Sequence, residues 1–403
     1  MVAELARRYA ELAVRVGVNL QEGQTLFVMG QPEHASLMRA VAEEGWKAGA
    51  GDVQLVYRDD HERRLHALHA ADELLDRTAA WHETAILSME GAALVFVLGD
   101  ADPDLFRDVD QARAARAEPR RVREIIHDQT SRHAIAWNII VGPTEGWARD
   151  VLGRPDPELL WQEVATVARL DEPDPVAAWR ERLAALDTRG AALHAAAFDR
   201  LHFTGPGTDL AVGLLPAARW AGAGATTYWG QTYVANLPTE EVFTTPDRLR
   251  TEGTVRTTKP LHWYGSVADE IELRFEGGRV VEARAGRGED FLRSKLETDD
   301  GASYLGEVAV VDGTSRIGQR DLLFKNGLLD ENAVCHIAIG SGYTEPIAGA
   351  EKLSDEERQA AGINISTIHI DLMIGSNEVD VDGVAANGSS APILRCGEWM
   401  LEA

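Results

Sequence analysis

Two cysteines, Cys335 and Cys396, are too few for a disulfide framework and cannot make a four-thiolate zinc site. No apolar run approaches the roughly 20 residues of a spanning helix. The opening MVAELARRYAELAVRVG lacks the uninterrupted apolar stretch of a secretory leader. Positive charge is also scarce: 40 Lys and Arg face 65 Asp and Glu, a formal charge of −25. Nucleic acid and anionic membrane both need a basic footprint, so neither is an expected partner. The chain has no GxGxxG after its first strand pattern and no GxxxxGK[ST], so nucleotide and dinucleotide binding lack their fingerprints. These absences leave a soluble, cytoplasmic protein as the expectation.

The composition itself is that of a folded chain, with 45% apolar and 26% charged residues. At 403 residues it exceeds one ordinary core of roughly 100–200 residues, so two domains are expected. In the first half, strand patterns over 25–29, 53–57, 93–98 and 134–141 alternate with helical ones over 32–48 and 104–117. That alternation predicts an α/β domain with a mostly parallel sheet covered on both faces. An acidic, proline-bearing stretch, DEPDP at 171–175, and a helix over 176–186 mark the change. Beyond them, strand patterns over 228–235, 253–256, 270–275, 279–285, 306–311 and 363–374 have few long helices between them. The expected division is 1–187, an α/β domain, and 188–403, an α+β domain on a mostly antiparallel or mixed sheet.

Four stretches of the second half carry candidate chemistry. In ISTIHIDLMIG, 365–375, strand alternation sends Ile368, Ile370, Leu372 and Ile374 to one face. Thr367, His369, Asp371 and Met373 take the other, so His369 and Asp371 point the same way, as a shared metal or a solvated pair would require. In DENAVCHIAIG, 330–340, His336 sits in an apolar run that suits a core histidine as well as a ligand. Glu331, five residues earlier, would be about 140° out of line with it on a helix. Joint use of the two therefore needs a helix starting after Glu331, or an extended segment. In YLGEVAVV, 304–311, Glu307 is either a buried carboxylate needing a partner or cation, or a residue facing water from an edge strand. In NLPTEEVFTTPD, 236–247, prolines bracket Glu240 and Glu241, a pair that is ordinarily solvated in a loop. HERRLH at 61–66 misses the HExxH spacing by one residue, and HETAI at 82–86 lacks the second histidine.

Taken together, Glu241, Glu307, Glu331, His336, His369 and Asp371 offer four carboxylates and two imidazoles. Such a shell suits Zn²⁺, Co²⁺ or Mn²⁺ rather than thiolate-seeking metals, and one carboxylate could bridge two ions.

At this point the chain resembles the thermophilic-type metalloaminopeptidases, the family of aminopeptidase T, aminopeptidase S and PepS. The resemblance rests on NLPTEEVFTTPD, EGTVRTTKPL, LGEVAVV, DENAVCHIAIGSGY and STIHIDLMIGS in this order, with GVNLQEGQ and EEGWKAGAGDVQLVYRDD in the first half. It implies two cocatalytic divalent ions, an exopeptidase acting on peptides with a free N-terminus, and a homodimer. By motif it places Glu241, Glu307, Glu331, His336, His369 and Asp371 at the metals and Tyr343 in a catalytic position. Glu307 or another carboxylate of the set would act as base. Three stretches depart from the family pattern: Lys325 where a tyrosine is common, DGTSRIG at 312–318, and parts of TSRHAIAWNIIVGPTEGWA. These bear on substrate preference rather than on the metal positions. The competing readings are a noncatalytic peptide- or metal-binding protein on the same scaffold, and a metallohydrolase of other small amides.

Overall fold

Parallel strands Asp52–Tyr57, Thr25–Gly30, Ala93–Leu98 and Ala136–Val141, in that spatial order, build the sheet of the first half in a computed structural model. The structure describes residues 1–403 apart from Pro119, Ala223, Tyr264, Gly265, Asp321 and Ala403. Both faces of this sheet are covered, which is why its strands read as apolar runs. Phe27, Met29, Leu94 and Phe96 pack with Ile86, Val122 and Ile125 of helices Ala80–Leu87 and Arg120–Ser131. Helix Ala35–Lys47 takes the opposite face, and a Cβ on its Gly45 would meet Leu26 at 2.4 Å, so the close approach relies on glycine.

The chain divides into two compact units, Met1–Glu181 with Gly224–Pro238, and Arg182–Ala223 with Thr239–Ala403. The division lies at Glu181/Arg182 rather than 187/188, inside a helix that runs from Pro175 to Ala196. Alanines with high helix propensity carry that helix past the expected stop at 186. The Gly224–Pro238 segment completes the first unit. Its strands Gly224–Thr226 and Thr232–Val234 pair with each other, and Ile139 N–H donates to Ala235 O at 2.7 Å. The buried Tyr9 hydroxyl donates to Leu237 O at 2.6 Å, and Asn138 Nδ2 donates to Val234 O at 2.8 Å. Of the strand read over 228–235 only Thr232–Val234 is paired, and 228–231 belong to the turn of a short hairpin.

The second unit holds two larger antiparallel sheets. One has eight strands, in the order Arg279–Arg284, Glu272–Glu276, Pro246–Arg256, Thr208–Leu214, Arg200–Gly205, Asp380–Val384, Ser390–Arg395 and Glu398–Trp399. The other has four: His369–Met373, His336–Gly340, Leu305–Val311 and Glu241–Thr244. Leu201, Phe203, Val212 and Phe275 of the first share one core with Val308, Val310, Ile337 and Leu372 of the second. The architecture is mixed α/β, with one parallel sheet and antiparallel sheets.

Two elements are shorter than their patterns suggest. The strand over 363–374 is paired only from His369, because side-chain bonds hold the residues before it out of the ladder. Asn364 Nδ2 donates to Gly301 O and Gly340 O, and Ser366 and Thr367 bond to Asp299. The helix over 104–117 begins only at Gln111, where Asp110 caps it by accepting from Arg113 N–H. Among the described residues no helix is long and apolar enough to cross a membrane.

Candidate metal centre

Strand register alone puts the candidate residues on one face of the four-stranded sheet. Residues paired across antiparallel strands share a face, and so do alternate residues along a strand. Phe243, Ala309, His336 and Met373 form one cross-strand row, and Glu307, Ala338 and Asp371 form the next. Gly340 pairs with His369 on one side of these rows, and Val311 pairs with Glu241 on the other. The reverse face carries Val242, Val308, Val310, Ile337, Ile339, Ile370 and Leu372, all in the core. Ala309 and Ala338 are short where ligand-type side chains flank them, leaving the space above the strands to the polar groups.

Glu307 lies in an interior strand, not at an edge, and is 3% exposed. His336 Nε2 is 4.0 Å from Glu307 Oε1 and 3.0 Å from Glu241 Oε2. His369 Nε2 is 3.1 Å from Glu307 Oε2 and 3.4 Å from Asp371 Oδ1. Glu307 therefore faces one imidazole with each oxygen. Both rings are oriented from behind: His336 Nδ1 lies 3.3 Å from Val334 O, and His369 Nδ1 lies 2.8 Å from Ser341 O. A ring whose Nδ1–H is donated to a carbonyl presents the Nε2 lone pair to the cluster.

Glu331 arrives by neither route expected from its spacing. The short helix Gly327–Glu331 ends at this residue, and a turn over 332–335 leads into the strand that starts at His336. Its carboxyl is near enough to that of Asp371 for the two to shift each other's titration. Tyr343 follows the Gly340–Ser341–Gly342 turn, with its ring centroid 4.5 Å from that of His369 and 5.6 Å from that of Phe243. Thr245 Oγ1 anchors it by donating to Tyr343 O at 2.7 Å. Glu240 and Glu241, a pair ordinarily solvated in a loop, are both buried. HERRLH and HETAI lie on helices Asp60–His69 and Ala80–Leu87 and belong to neither of the ligand groups found among the described residues.

The electrostatics are those of crowded acids. Burial pushes Glu307 up to about 7, against the pull of its His369 hydrogen bond. Glu331 is driven well above the carboxylate range by burial, then by Asp371 and Glu241. Burial disfavours the His336 imidazolium, but Glu241, Glu307 and Asp371 outweigh it and raise the ring to about 10. His369 is raised well above its ordinary value in the same way, with Asp371 and Glu307 overcoming burial. Asp371 is lowered despite burial, chiefly by His369. Tyr343 keeps 39% of its surface exposed, yet burial of its hydroxyl end and the charges of Glu307, Asp371 and Glu331 hold the phenol protonated.

This donor set fits divalent cations. Glu241, Glu307 and His336 offer ligand atoms within 4.8 Å of one another, as do Glu307, His369 and Asp371. Two donors on one tetrahedral Zn²⁺ stand roughly 3.3 Å apart, inside the observed range of 3.0–4.0 Å. Glu241 Oε2 is buried and makes no hydrogen bond, although His336 Nε2 lies 3.0 Å away. Two groups that close but not aligned with each other suit a common cation between them.

Fold and site together define a divalent-metal protein, with most of the candidate ligands gathered on one sheet face. The chain belongs to the thermophilic metalloprotease (M29) family, whose model matches residues 2–399. It is 39% identical over 402 residues to aminopeptidase T of Thermus thermophilus, covering 98% of each chain. It is 38% identical over 403 residues to aminopeptidase 2 of Geobacillus stearothermophilus, covering 98% of this chain and 97% of the relative. Wild-type AmpT from Thermus thermophilus superposes with a TM-score of 0.90 at 38% identity, covering 98% of this chain and 99% of that one.

Proposed function

We propose that this protein is a metal-dependent aminopeptidase that releases N-terminal residues from peptides at a pair of divalent cations held by its second unit. One observation carries the two-cation reading: Glu307 belongs to both ligand trios, one oxygen turned to each. Glu241 and His336 would hold one cation and His369 and Asp371 the other, with Glu307 between them and Glu331 completing the shell beside Asp371. When bound, Zn²⁺, Co²⁺ or Mn²⁺ supplies Lewis acidity that eases deprotonation of a water and polarises the scissile carbonyl. Glu307, or another carboxylate of the set such as Glu331, takes the proton of the attacking water. Tyr343 Oη, held protonated, donates to the carbonyl oxygen as it gains negative charge.

The free amine of the substrate, recognised by carboxylate or cation, would confine cleavage to chain ends. The family homodimer and a cytoplasmic location belong to the same proposal. The test compares short peptides with free and acetylated N-termini, using metal-loaded protein. Free peptides are expected to turn over and acetylated ones to lose most of their rate. Equal rates on both would make this an endopeptidase or amidase, and metal binding without turnover would make it a binding protein.

A further inference from the structure

Beside the candidate ligands, one buried amide joins the segments that deliver two of them. Asn332 directly follows Glu331 and is 0% exposed. Its Oδ1 accepts from Glu240 N–H at 2.7 Å. Its Nδ2 donates to Leu328 O at 3.0 Å and reaches Glu331 Oε1 at 3.5 Å. Its own carbonyl accepts from Ser315 Oγ at 2.7 Å. The amide thus grips the residue before Glu241 with one end and the helix that carries Glu331 with the other.

Glu240 is itself tied down. It is fully buried, with Arg182 Nε 2.6 Å from its Oε2. That contact is off the line of a hydrogen bond, so it compensates charge rather than directing the carboxylate. Arg182 Nη1 donates to Thr314 Oγ1 at 3.2 Å, Arg182 Nη2 is 3.7 Å from Asp312 Oδ1, and Arg189 pairs with Asp312. Two guanidinium and two carboxylate groups cancel inside the unit, so Glu240 adds no unbalanced charge beside the ligand Glu241.

We propose that Asn332 is a positioning residue that sets Glu241 and Glu331 together, with the Arg182–Glu240 ion pair as the anchor for the segment it grips. The inference rests on the aminopeptidase reading for the identity of those ligands. Metal–ligand distances tolerate only about ±0.2 Å, so a small backbone shift at Glu240 is felt at the next residue. Partners behind the ligands typically carry roughly 10–100-fold in metal affinity.

The test titrates Zn²⁺ into the full chain against a competing chromophoric chelator, for wild type, Asn332→Ala and Asn332→Ser. Leu201→Ala, a cavity in the core of the eight-stranded sheet, serves as a destabilised control that removes no hydrogen bond to either ligand segment. The Asn332 variants should bind at least one ion roughly 10–100-fold more weakly, and Leu201→Ala within about threefold of wild type, at comparable losses of Tm. If Asn332→Ala fails to fold, Asn332→Ser carries the comparison, because a hydroxyl cannot span both partners. Wild-type affinity in a folded Asn332 variant, or an equal loss in Leu201→Ala, would overturn the assignment. A wild-type chain that binds no cation would instead sink the aminopeptidase reading.

Discussion

At the scale of single residues, Tyr343 separates binding from chemistry. Its ring packs near those of His369 and Phe243, and burial, then the charges of Glu307 and Asp371, keep its hydroxyl protonated. Tyr343→Phe removes one donor and no ligand. Loss of such a donor costs about 10²–10³ in kcat, or about 2.7–4 kcal/mol. Steady-state kinetics with metal analysis should therefore show a large fall in kcat, little change in KM and full metal content. A variant within threefold of wild type would take Tyr343 out of the reaction. The sequence shows this tyrosine only as a residue after a glycine turn. Its aromatic neighbours come from strands roughly 100 residues before it and 26 after it, beyond the reach of any spacing argument.

Elements explain which parts of the site were legible. The alternation in 365–375 predicts the two faces of that strand, because side chains repeat every second residue and one face is core. Glu307 was open between burial and an edge, and only its two neighbouring strands decide it. Glu331 and His336 look incompatible on a helix, yet the turn over 332–335 sets their relation. Glu240 looks solvated, because its partner Arg182 lies 58 residues back in the chain. Gly340 shows how tightly the ligand strands are joined. Its φ is +105°, and a Cβ there would meet Ile368 O at 2.1 Å, a backbone atom that cannot rotate away. Gly340→Ala should push the His369 strand off its neighbour at a cost of at least about 1–3 kcal/mol. Metal analysis of the folded fraction is expected to show a deficit of one ion. Full stoichiometry with unchanged Tm would mean that the sheet absorbs the methyl group without moving its ligands.

For the whole molecule, the acid cluster ties cation binding to stability and to pH. A cation that binds only the folded form stabilises it by RT ln(1 + [L]/Kd), about 2.7 kcal/mol at 100 Kd. Chelation should abolish peptidase activity and lower Tm, and Co²⁺, Zn²⁺ or Mn²⁺ should restore both. The pH dependence has a definite sign, because the cation competes with protons for its ligands. Without a cation, Glu307 holds a proton up to about 7 and His336 up to about 10. Affinity therefore rises with pH and weakens as pH falls through 7, where Glu307 takes up a proton. Calorimetric titrations at pH 6 and pH 8 read this directly. Tighter binding at the lower pH would show that these groups are not the ligands.

The chain leaves its second unit at Gly224, completes the first, and returns at Thr239, two residues before Glu241. During synthesis this sets an order of events. When the first 181 residues have been made, Tyr9 and Asn138 still lack Leu237 O and Val234 O, which are their buried hydrogen-bond acceptors. The first unit must wait, unfinished, for a segment that begins 43 residues further on, at Gly224. The last residues of that segment lead straight into the first ligand strand. A nascent chain therefore completes its first unit only as it begins to lay down the candidate ligands, and release before Pro238 leaves neither unit whole.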